Sequence, residues 1–147
     1  MRSFVEAEEK YLDQITKMGM DLWPDNNSDE LKEEFAQLLS SHKDKVLLCL
    51  NDDEPIAFIH VSLRIDYVEG SRSSPTGFVE GIYVKPEYRR KGISNKLIAE
   101  GERWLKTKGC KQIGSDIELT NDTSYHFHTS VGFIETNRLI AFIKDIN

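Results

Sequence analysis

Arg89, Arg90 and Lys91 stand together just before Gly92 in the run Tyr88-Arg-Arg-Lys-Gly-Ile-Ser94, between a strand pattern and a helix pattern. The first N–H groups of a helix lack partners inside it, and the helix dipole favours negative charge at that end. A glycine there lets the backbone approach a ligand with no Cβ in the way. A diphosphate needs all three features. Local chemistry alone leaves a second reading open, that of a solvated basic turn opening on a helix-start glycine. The run is not a nucleotide P-loop, because Gly-x-x-x-x-Gly-Lys-Ser/Thr is absent.

Other reactive side chains are sparse. Cys49 and Cys110 lie far apart without metal-ligand spacing. Cys49 belongs to the apolar run Val46–Leu50 and reads as a buried free thiol. His42, His60 and His126 show no ligand spacing with any partner, so no metal site is expected.

The elements that must hold this loop follow from periodicity. The 147 residues suit one domain over 1–147, with 39% hydrophobic and 30% charged residues. Phe4, Val5, Tyr11, Leu12, Ile15 and Met18 predict a first helix over residues 4–19, broken at Trp23-Pro24-Asp25. Ser28-Asp29-Glu30-Leu31 starts a second helix, with Leu31, Phe35, Leu38 and Leu39 as its apolar stripe. Val46–Leu50 and Ile56–Ile65 predict a hairpin across the turn at residues 51–55. A Gly-, Ser- and Pro-rich loop fills 69–77, and Phe78–Val84 is the next strand. Apolar spacing from Ile93 to Leu105 predicts a long helix from Gly92 to Lys108, closed by Gly109 at the C′ position. Lys111–Leu119 reads as a strand, 122–131 as a short helix stopped by Gly132, and Phe133–Ile146 as a final strand. The result is an α/β (α+β) domain with a mixed, mostly antiparallel sheet flanked by helices and a βαβ unit inside it.

The net charge of −6 argues against nucleic acid as the main partner and is compatible with a cationic one. It also suits a surface whose acidity serves only solubility. Met1–Lys10 is charged throughout, so no signal peptide is expected, and no apolar run approaches the ~20 residues of a membrane span. A cytoplasmic protein is the expectation.

The segment Val84-Lys-Pro-Glu-Tyr-Arg-Arg-Lys-Gly-Ile-Ser-Asn-Lys-Leu97 resembles the acetyl-CoA loop of the GNAT superfamily of N-acetyltransferases, whose pattern is Arg/Gln-x-x-Gly-x-Gly/Ala. Ser94 departs from Gly/Ala but is small. His128-Thr-Ser-Val-Gly-Phe133 is similar to that superfamily's Tyr-x-x-x-Gly-Phe segment. The resemblance implies acetyl-CoA as co-substrate and a single acetyltransferase domain. It places the pyrophosphate on the loop of Arg89, Arg90, Lys91, Gly92, Ile93, Ser94 and Asn95, through the backbone N–H groups of 90–95. It pairs the pantetheine arm with Ile82, Tyr83 and Val84, and sets the Val84 N–H against the thioester oxygen as an oxyanion donor. Asn121 falls where relatives contact the pantetheine. His128 replaces a Tyr that protonates the leaving thiolate, so a thiolate acid, a coenzyme contact and simple packing all stay open for it.

A finer resemblance runs along nearly the whole chain. Leu22–Asp25, Asp66–Gly70, Ser74-Pro75, Phe78–Val84, Gly114–Asp116 and Gly132–Thr136 are similar to aminoglycoside 6′-N-acetyltransferases. It implies an aminoglycoside acceptor, resistance to such drugs, aromatic walls from Trp23 and Tyr67, a pocket residue in Asn26, and a homodimer built through the C-terminal strands. Asn137 stands where relatives often carry Glu. Strand alternation puts Glu80 on the face of Ile82 and Val84, with Asp116 on the next strand. Two carboxylates there can anchor an ammonium, but they also raise its pKa, and only the neutral amine attacks. The same site therefore needs a base, and Glu80 and Asp116 are the candidates. Two other readings share the coenzyme loop: transfer to a polyamine or peptide N-terminus, and a non-catalytic acyl-CoA module.

Overall fold

The computed structural model describes residues 1–146. Its centre is a sheet of β1 (Arg2–Glu6), β2 (Asp44–Asn51), β3 (Glu54–Arg64), β4 (Thr76–Val84) and β5 (Ile113–Gly114), adjacent in that order. The first three pairings are antiparallel and β4 pairs β5 in parallel, so the sheet is mixed and mostly antiparallel. Asp52 and Asp53 take φ of 52° and 80°, the doubly left-handed turn that matches the twist of a two-residue hairpin.

Four α-helices accompany the sheet among the described residues: α1 (Leu12–Leu22), α2 (Ser28–Leu38), α3 (Ile93–Thr107) and α4 (Asp122–Ser130). Alternation along β2 and along β3 from Ala57 sorts the core into two layers. Leu47, Cys49, Ile59 and Val61 pack under α3 with Leu97, Ile98 and Leu105. Leu48, Leu50, Phe58 and Tyr83 pack under α1 and α2 with Ile15, Met18 and Phe35. Asn27 caps α2 by accepting a hydrogen bond from the Glu30 N–H at 3.1 Å, and Asp29 and Glu30 favour the positive end of its dipole.

Three expectations need correction. Residues 2–6 form an edge strand instead of the start of the first helix, because Phe4 and Val5 pair with Cys49 and Leu48. The strand expected over Lys111–Leu119 is only Ile113–Gly114, since the chain leaves β4 after two paired residues. Phe133–Ile146 forms no strand: it has no regular secondary structure, and Ile140, Phe142 and Ile143 are 76%, 91% and 98% exposed.

Two irregularities in β4 shape the site. Val61 pairs with Val79 and His60 with Gly81, which leaves Glu80 as the extra residue of a bulge. β5 covers only Gly77 and Phe78. From Val79 to Val84 the outer edge of β4 is therefore open.

Candidate active site

The open edge leads into the basic loop. The Lys85 N–H donates to Ile56 O at 2.9 Å, and amide directions alternate along an antiparallel strand. The Val84 and Ile82 N–H groups therefore point away from β3, toward the open edge. Arg89 Nε donates to Val84 O at 2.7 Å, which folds the loop back against the strand end. Arg90 (φ 62°) and Gly92 (φ 79°) turn the chain into α3, and the Gly92 N-cap has no side-chain partner for the helix start. The first intrahelical donor is Lys96, to Gly92 O at 3.2 Å, so the N–H groups of Ile93, Ser94 and Asn95 stay available. A Cβ built on Gly92 would meet nothing within 4 Å.

A cleft of about 290 Å³ opens here. It is lined by Val84, Arg89, Arg90, Gly92, Ile93, Ser94 and Asn95 from the expected coenzyme set, with Tyr88 and Phe127 besides. Lys91 lies outside that lining, its Nζ 5.7 Å from the Tyr88 ring centroid. Ile82 is half-buried on the α3 side. Tyr83 offers the edge only backbone, because its ring faces α1 and its hydroxyl donates to Asp21 at 2.9 Å. Burial pushes the Tyr83 phenol up, and Asp21 adds to the effect. The Asn121 side chain caps α4 by accepting from Ser124 N–H at 3.1 Å.

His128 is half-buried between Phe127 and Phe133. Its Nδ1 lies 2.7 Å from Ser124 O, and a carbonyl can only accept, so Nδ1 carries the proton. In the neutral ring, Nε2 then accepts from the Ser115 hydroxyl at 2.8 Å.

Glu80 does not share the face of Ile82 and Val84. The bulge breaks the two-residue period and turns its carboxylate to the α1/α2 side, the side on which Trp23 covers Gly81. There Ser62 Oγ donates to Oε2 at 2.5 Å, Arg64 Nε to Oε2 at 3.1 Å and Arg64 Nη2 to Oε1 at 2.8 Å. Burial favours the neutral carboxyl, but the hydrogen bonds of Arg64 and Ser62, with the charges of Arg64 and His60, outweigh it and hold Glu80 below the usual carboxylate range. The Arg64 guanidinium is stacked 3.5 Å from the Phe78 ring centroid. His60 is tied to Asp44, with Nε2 2.8 Å from Oδ1.

Trp23 is half-buried against Phe58 and covers Gly81, the residue after Glu80. Asn26 donates its side chain to Trp23 O at 3.4 Å and so braces that turn. Asp116 lies past the end of β5 instead of on the strand, exposed and without an ion-pair partner among the described residues. Tyr67 and Asn137 are exposed as well. Their segments meet, since a Cβ on Gly70 would fall 2.6 Å from Thr136 Cγ2. Ser62, Arg64, Ser115 and Gly81 escaped the sequence reading. A glycine inside a strand marks a bulge, and Gly81 is the signal that the two-residue reading passed over; the Arg64–Glu80 partnership needs the β3–β4 register.

A family model of the acetyltransferase (GNAT) family matches residues 12–133. An aminoglycoside N(6′)-acetyltransferase type 1 of Acinetobacter haemolyticus is 38% identical over 96% of this chain and 97% of its own. The solved structure of AAC(6′)-Iy in complex with the bisubstrate analog CoA-S-monomethyl-acetylneamine superposes with a TM-score of 0.94 at 32% identity, covering 99% of each chain. That of the aminoglycoside 6′-N-acetyltransferase AAC(6′)-Ih from Acinetobacter baumannii does so with 0.92 at 36%, covering all of both chains. With such likeness along nearly its whole length, the chain that carries this open strand edge and basic helix N-terminus belongs to the acetyltransferase (GNAT) family and within it to the aminoglycoside 6′-N-acetyltransferases.

Proposed function

We propose that the protein transfers the acetyl group of acetyl-CoA to the 6′-amino group of an aminoglycoside by direct attack in a ternary complex, and so confers resistance. The observation that carries this is the open β4 edge leading into uncapped N–H groups at the start of α3, with carboxylates at its far end.

The loop amides of 90–95, with Arg89, Arg90 and Lys91, hold the pyrophosphate. The pantetheine lies along Ile82–Val84 as an added strand, with Asn121 at its flank. The Val84 N–H, seconded by that of Ile82 on the same edge, faces the thioester oxygen and stabilises the oxyanion. Glu80 lies four residues from Val84, ~13 Å along the strand. That distance and its depressed pKa make it an anchor for an acceptor ammonium and a poor base. Asp116 is then the carboxylate that removes the amine proton, through water. Nε2 of the neutral His128 ring accepts from Ser115 and has no proton to give, so delivery to the thiolate takes the imidazolium, whose Nε2–H passes its proton to Ser115 Oγ as the Ser115 hydroxyl gives its own to the sulfur. Trp23 and Tyr67 wall the sugar, with Asn26 and Asn137 at the rim.

The C-terminal segment supports a homodimer. Leu139, Ile140, Phe142 and Ile143 expose a run of apolar surface that a lone chain has no reason to keep. A second copy covers it by pairing strand on strand. The enzyme works in the cytoplasm, where acetyl-CoA is made; among the described residues no helix is long and apolar enough to cross a membrane.

The test is thiol release with acetyl-CoA and tobramycin. Wild type should turn over, and Asp116→Asn should lose ~10²-fold or more in kcat with coenzyme affinity unchanged. Full activity in Asp116→Asn would remove Asp116 from the mechanism.

A further inference from the structure

The Glu80 carboxylate is already occupied by its own chain. A carboxylate has about four acceptor directions. Ser62 Oγ, Arg64 Nε and Arg64 Nη2 take three of them. The side-on grip of Arg64 is itself fixed, because the guanidinium is stacked on the buried Phe78 ring at 3.5 Å. The pair is not sealed in: the Arg64 and Glu80 side chains are 41% and 27% exposed, and they open on the Trp23 side of the sheet. A formally neutral pair attracts a polycation weakly at range. What it offers is the one acceptor direction left on a partly exposed carboxylate.

We infer that Arg64 is a positioning residue that sets acceptor specificity, by clamping Glu80 so that it receives one acceptor ammonium in one direction and not through net charge. This rests on the reading of the site as an aminoglycoside acetyltransferase. Its role differs from that of a plain structural ion pair. Without Arg64, Glu80 keeps its negative charge but loses its aim. Binding of a polycation then holds or tightens while productive orientation is lost.

The experiment is steady-state kinetics of wild type, Arg64→Gln and Arg64→Lys with acetyl-CoA against tobramycin and kanamycin. Tobramycin binding by calorimetry and melting temperature are measured beside it. For Arg64→Gln, kcat on tobramycin should fall ~10-fold or more. Its KM and calorimetric Kd for tobramycin should stay level or drop, and coenzyme affinity should not change. The tobramycin-to-kanamycin ratio of kcat/KM should move toward unity. Arg64→Lys restores the charge without the two-pronged grip, so it guards against a folding defect. It should keep the wild-type melting temperature yet recover only part of kcat. Wild-type kcat and KM in folded Arg64→Gln, with only the melting temperature lowered, would overturn the inference. So would a raised KM at unchanged kcat. A wild-type protein that neither binds nor acetylates either drug would instead overturn the reading of function beneath it.

Discussion

Gly81→Ala adds one methyl group where Trp23, the wall proposed for the acceptor, meets the sheet. The new Cβ would lie 2.6 Å from both Cη2 and Cζ2 of Trp23 and 3.5 Å from Leu22 Cδ2. Carbon atoms rest near 3.5–4.0 Å, so the indole must lift by about 1 Å. It cannot slide freely, because its ring stands against Phe58 at 6.2 Å between centroids and Phe58 is fully buried. Overpacking of this kind costs about 1–3 kcal/mol, and for a domain of this size each kcal/mol lowers Tm by roughly 2–4 °C. A displacement of ~1 Å in a positioning side chain costs up to ~10²-fold in rate. The expected result is a lower Tm, a 10- to 10²-fold loss in kcat/KM for tobramycin by thiol release, and unchanged CoA affinity by calorimetry. Combining Gly81→Ala with Trp23→Phe should recover stability, since the smaller ring clears the methyl, without recovering kcat/KM. If Gly81→Ala alone kept both Tm and tobramycin kinetics, Trp23 would be neither seated on Gly81 nor part of the acceptor wall.

Gly92→Val should leave the fold intact, because its Cβ meets nothing within 4 Å, yet φ of +79° costs a β-branched residue about 1–2 kcal/mol. With its side chain in the space proposed for the pyrophosphate, CoA affinity should drop ~10-fold or more, and unchanged affinity would move the pyrophosphate elsewhere. Glu80→Gln should be less stable than wild type near neutrality. Because the folded Glu80 pKa is depressed, that difference is complete above the ordinary Glu value of ~4.3 and disappears as pH falls through the folded value. A Tm gap that grew with acid would contradict the Arg64–Glu80 pairing. Phe142→Asp should turn a dimer into a monomer in light scattering, and a dimer persisting in the variant would place the interface elsewhere.

Local signals were legible in the sequence. The basic loop, the long helix ended by Gly109 with φ of 87°, the Asp52–Asp53 turn and the α2 start each depend on residues within a few positions. The misread parts depend on distant partners. β1 is an edge strand whose Phe4 faces Cys49 across the sheet, and nothing near Phe4 announces that. The apolar pattern of Leu139–Ile143 suits a strand, but among the described residues it pairs with no strand. Glu80 shows the same limit at the site. A two-residue period places it with Ile82 and Val84, and one unpaired position moves it to the other face, where Ser62 and Arg64 wait. Asp116 was legible as a residue and not as a strand position, since β5 ends at Gly114.

The most direct measurement is the site of acetylation. Wild-type protein, acetyl-CoA and tobramycin are incubated, and the product is resolved by tandem mass spectrometry and NMR. One acetyl group on the 6′ nitrogen, with one free CoA released per acetyl, is the expected result. No drug acetylation, with transfer instead to spermidine or a peptide N-terminus, would contradict it.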